Sequence, residues 1–79
     1  MNDEIHIGKL IYSVMEEEGR AASWLAKKLH YDKSNIYRIF KNPTINTQLL
    51  LKISKLLKHD FFRHYSIIIQ ENNETMKSS

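Results

Sequence analysis

The sequence predicts an all-α domain of five helices, and three observations carry that prediction. Apolar residues recur at helical spacing in four successive segments, anchored by Ile7, Leu25, Ile36 and Leu49. Residues suited to helix ends (Gly19, Asp32, Pro43, Asn46 and Asp60) fall between those segments. With only two glycines and one proline in 79 residues, the segments themselves are almost free of breakers.

In the first helix, about 4–18, Ile7, Leu10, Ile11, Val14 and Met15 share one face, and Gly19 stops it after Glu16-Glu17-Glu18. Three carboxylates oppose the dipole at that end, which points to fraying or to an offset by Arg20, Lys27 or Lys28. The second helix runs from Arg20 to Leu29, with Leu25 and Leu29 inward and Ala22 and Ala26 as a flat row for a close helix crossing. Asp32 is a candidate N-cap for the third, about 33–41, whose Ile36, Ile39 and Phe40 form an apolar row. Pro43 disfavours helix at Asn42 and so ends it. Asn46 is the expected N-cap of the fourth, with Ile45 stapled to Leu50 and with Leu49, Leu50, Ile53, Leu56 and Leu57 inward. After the break at His59-Asp60, Asp60 is placed to cap a short fifth helix holding Phe61, Phe62 and Tyr65. Ile67-Ile68-Ile69 fits either an extension of that helix or a strand that pairs with another chain. The polar residues from Glu71 onward read as disordered. The expected organisation is a domain over 5–66 and a tail over 67–79.

Size and composition restrict the function. A second domain would need roughly another hundred residues. A domain this small buries about 60% of its unfolded surface and has little room for a cleft of ~300–1,000 Å³. Without cysteine there is no disulfide framework, thiol nucleophile or thiolate zinc site, which suits a reducing compartment. No apolar run approaches ~18–20 residues and Met1-Asn2-Asp3-Glu4 is acidic, so a soluble cytoplasmic protein is expected.

The net charge of +3 is uneven. Residues 1–18 carry −4, residues 19–63 carry +8, and residues 64–79 carry −1. A basic middle between acidic ends suits a polyanion, although a lysine-rich solvated surface has the same arithmetic. The third helix bears on that choice. At about 100° per residue from Lys33, Tyr37 falls near 40°, Lys41 near 80°, Ser34 near 100° and Arg38 near 140°. Ile39, Ile36 and Phe40 occupy the opposite arc, about 240–340°, with Asn35 at its edge near 200°. A short helix presenting Lys, Ser, Tyr, Arg and Lys together is shaped for a major groove, where Arg and Lys donate to guanine and Ser serves several base edges.

The stretch from Ala22 to Lys41 resembles the helix-turn-helix of the Xre family, the phage-repressor-like prokaryotic transcription regulators. The resemblance covers about Ile5 to Ser66 and rests on Leu25-Ala26, Leu29, Ile36, Ile39 and the helix 46–57; a finer likeness is to small Bacteroidetes-type members. It implies a five-helix domain that binds double-stranded DNA as a homodimer. By the same resemblance Lys33, Ser34 and Arg38 face bases with Tyr37 beside them, and Asn35, Lys41, Asn42 and Thr44 hold the phosphate backbone. Asn46 or Thr47 adds a phosphate contact through the freed amides of a helix start. Two departures stand out: His30 occupies the turn position where the family has glycine with positive φ, and Trp24 stands at a usually polar position. Trp24 is expected to be half-buried under a terminal segment or in a dimer contact, unless it is simply exposed. Tyr37 can instead pack on the stems of Lys33 or Lys41.

Catalysis finds no footing here. His6, His30, His59 and His64 lack a partner in any recognised catalytic order, and Asp60 with His64 at i, i+4 reads as a cap or ion pair before a metal site. Gly8 and Gly19 cannot form a phosphate loop. No metal, cofactor, small-molecule ligand or membrane partner is indicated. The competing reading is a protein-interaction module, antitoxin-like or adaptor, that keeps the helix-turn-helix fold. RNA fits less well, because its A-form major groove is deep and narrow.

Overall fold

The computed structural model describes residues 4–78, with side chains as far as Glu71. It is all-helical: α1 (Ile7–Glu17), α2 (Ala22–Leu29), α3 (Lys33–Lys41), α4 (Thr47–Leu57) and α5 (Phe62–Ser78). The core takes Ile7, Ile11, Val14 and Met15 from α1, Leu25 and Ala26 from α2, Ile36 from α3, and Leu50, Ile53 and Leu57 from α4. Phe61, fully buried in the turn before α5, closes it. The remaining inward residues of each period, including Leu10, Leu29, Ile39, Phe40, Leu49 and Leu56, lie half-buried against that cluster.

The helix ends follow from local chemistry. Gly19 takes φ +68°, and the amides of Gly19 and Arg20 return to the carbonyls of Glu16 and Met15 at 3.1 and 2.8 Å, the paired bonds of a Schellman stop. His30 ends α2 in the same way at φ 58°, with its own amide on Lys27 O and that of Tyr31 on Ala26 O. Lys58 ends α4 at φ 54°. Asn46 caps α4 as expected, its Oδ1 accepting from the amides of Gln48 and Leu49 at 2.8 and 3.2 Å.

Three expectations need correcting. Asp32 occupies the N-cap of α3 in extended conformation, but its carboxylate makes no capping bond. Only its backbone carbonyl takes part, accepting from Asn35 N at 2.9 Å. Asp60 stands outside the first turn of α5, because Phe61 still belongs to the turn. Of the two alternatives at Ile67–Ile69 the helix extension is the one observed, and the polar residues from Glu71, expected to be disordered, continue α5 to Ser78. Nothing after Pro43 is glycine or proline, so no residue interrupts the helix once it has started. Ser79 lies outside the described residues. At ~1.5 Å per residue α5 spans about 26 Å, and the radius of gyration of 14.4 Å exceeds the ~11.6 Å of a compact chain this long.

The joint that positions α3 is made of backbone. The first amides of α1, which no helical turn can satisfy, donate outward: Ile7 N to Pro43 O and Gly8 N to Asn42 O, both at 3.1 Å. The positive end of α1 thus meets the negative end of α3. Gly8 is what allows the approach. A β-carbon there would overlap the carbonyl oxygens of Ile39 and Phe40 and stand 2.7 Å from that of Asn42.

Candidate nucleic-acid interface

α3 is held by contacts to both α1 and α2 and buries Ile36 completely. The opposite face is open. Lys33, Ser34, Tyr37, Arg38 and Lys41 are all exposed, so the arc expected to meet base edges is free among the described residues. Asn35 is half-buried at its edge.

Beside that face the chain turns through Asn42, Pro43 and Thr44 into α4, leaving a shallow groove of about 360 Å³. Asn35, Arg38, Asn42, Thr44 and Asn46 line it, which brings five of the expected contact residues to one place. Local bonds set their free donors. Asn42 Oδ1 accepts from Thr44 N at 3.1 Å and from Thr44 Oγ1 at 3.3 Å, so the carboxamide NH₂ of Asn42 is left to donate outward. The oxygen of Asn46 is likewise committed to its cap, leaving its NH₂. Because that cap takes Gln48 N and Leu49 N, the contact through freed amides at this helix start reduces to the N–H of Thr47.

Tyr37 faces away from this groove. With Tyr12, Glu16, Arg20 and Phe40 it lines a second hollow of about 330 Å³. Its ring meets Phe40 edge-on at 6.1 Å, and Phe40 in turn meets Tyr12 at 5.2 Å. Beyond that aromatic contact, 48% of Tyr37 remains exposed. The Tyr12 hydroxyl has its pKa raised above 10.0, first by its hydrogen bond to Glu16 and then by that carboxylate's charge. Trp24 is half-buried, with the Arg20 guanidinium over its ring at 4.5 Å from the centroid.

His64 does not turn to Asp60 as its spacing suggested. The i, i+4 relation needs both residues within one helix, and Asp60 precedes α5. The Nε2 of His64 lies 3.0 Å from Nε2 of His59 instead. Among the described residues, no three His, Asp or Glu side chains are grouped to hold a metal ion, and no helix is long and apolar enough to cross a membrane. Comparison with protein-family models, with curated proteins and with solved structures finds no match to this chain.

Proposed function

We propose that this protein binds double-stranded DNA sequence-specifically, as an Xre-like helix-turn-helix transcription regulator acting as a homodimer. The observation that carries the reading is the division of α3: one face buried through Ile36, the other entirely hydrogen-bonding and exposed through Lys33, Ser34, Tyr37, Arg38 and Lys41. In a major groove Arg38 and Lys33 donate to base acceptors, with Ser34 and Tyr37 as adaptable neighbours. Lys41, Asn42, Thr44, Asn35 and the start of α4 at Asn46 and Thr47 face the backbone and set the register. One such helix reads only a few base pairs, so a second copy about 34 Å away supplies the rest of the affinity.

The decisive experiment is selection from a random duplex library at near-physiological salt, followed by binding of two variants to the selected site. Arg38→Ala is expected to relax base preference and cost ~1–3 kcal/mol. Lys41→Ala is expected to weaken all duplexes alike and to lower the salt slope by about one. Wild-type binding by both variants refutes the assignment of α3 to recognition. Failure to enrich any sequence turns the reading toward a protein-interaction module.

A further inference from the structure

We infer that His59 and His64 form a binding site for one late first-row divalent ion of the Ni²⁺ or Cu²⁺ kind, at the turn that joins α4 to α5. The two Nε2 atoms lie 3.0 Å apart with the rings inclined by only 22°. Two imidazole nitrogens this close can reach one ion through metal–nitrogen bonds of ~2.0–2.1 Å, and imidazole donors suit Ni²⁺ and Cu²⁺. A rotation of the rings about χ2 turns their lone pairs from each other onto a common ion.

The pair is prepared for this by the fold. Lys58 in its left-handed conformation swings His59 back toward the first turn of α5, which carries His64. The buried Phe61 supports the His59 ring at 4.4 Å, and both imidazoles are half-buried. Ligands five residues apart on a formed turn need no further chain ordering to chelate. His64 also lines a hollow of about 410 Å³ together with Glu4 and His6. Among the described residues no third His, Asp or Glu joins the pair, and two nitrogen donors do not suit the hard ions Mg²⁺ and Ca²⁺, which require oxygen.

The test is titration of the untagged protein with NiCl₂, read by calorimetry and by line broadening in ¹H–¹⁵N NMR spectra. One ion per chain is expected, with broadening centred on residues 58–64 and a raised melting temperature at saturation. His59→Gln and His64→Gln, each first checked for wild-type helicity by circular dichroism, are expected to weaken binding about tenfold or more. His6→Gln is expected to leave it unchanged. The inference is overturned by the absence of saturable binding, by wild-type affinity in both folded variants, or by broadening centred on His6.

Discussion

Gly8→Ala tests the joint between α1 and α3, and it inverts a general rule. Inside a helix alanine is normally favoured over glycine by about 0.5–1 kcal/mol. Here the added methyl overlaps two carbonyl oxygens and comes within 2.7 Å of a third, all backbone atoms that no rotamer change can move. Relief requires the helices to separate by several tenths of an ångström or more, which stretches the 3.1 Å bonds of Ile7 N and Gly8 N. Loss of two such bonds costs about 1–3 kcal/mol, and forced overpacking a further ~1–3 kcal/mol. After the propensity gain, a net loss of about 3 kcal/mol remains, from a total of about 4–12 kcal/mol for a chain this long. Urea unfolding followed by circular dichroism measures it directly, and the melting temperature is expected to fall by at least about 12 °C. Gly19→Ala is the control: nothing lies within 4 Å of its added carbon, and only the φ of +68° is strained. That variant is expected to lose about 1 kcal/mol. A Gly8→Ala protein as stable as wild type, or no worse than Gly19→Ala, refutes the close approach of α1 to the end of α3.

The left-handed residues offer the opposite sign: His30→Gly and Lys58→Gly are each expected to gain up to ~1 kcal/mol, about 4–8 °C in melting temperature, and a loss in either shows that its side chain contributes more than the strain. The Tyr12 hydroxyl, with its pKa raised by Glu16, favours the neutral phenol, so its contribution to stability is present below pH 10 and lost as pH rises through the raised value. Phenolate absorbance of Glu16→Gln against wild type is expected to show one tyrosine ionising earlier, and identical titrations contradict the Tyr12–Glu16 contact.

The first four helices are legible in the sequence because each combines a clear apolar period with a local stop. Gly19, Pro43 and Asn46 act within a few residues of where they stand, so no tertiary knowledge is needed to place them. His30 stands where the Xre-like sequences it resembles carry glycine, and it takes the left-handed conformation at φ 58°. What escapes the sequence is everything that depends on another part of the fold. Asp32 has the right chemistry for a cap, but its side chain does not turn inward. Gly8 sits at an unremarkable helical position, and its constraint arises from carbonyls more than thirty residues away. The His59–His64 contact crosses a turn, where neither the strand nor the helix period applies. Of the candidate interface, the open arc of α3 is legible from the wheel alone, whereas the groove with Asn42, Thr44 and Asn46 appears only once the turn into α4 is folded.

The contact between Gly8 and the end of α3 is sequence-blind on one side. It is built from carbonyls that every amino acid carries, so it demands glycine at position 8 and nothing of the residues it touches. The outward residues Lys33, Ser34, Arg38 and Lys41 of α3 can therefore be exchanged without loosening that joint. The grip on α3 is thus separate from the chemistry its open face displays. On the proposed DNA-binding function, substitution in that face changes specificity without touching the joint.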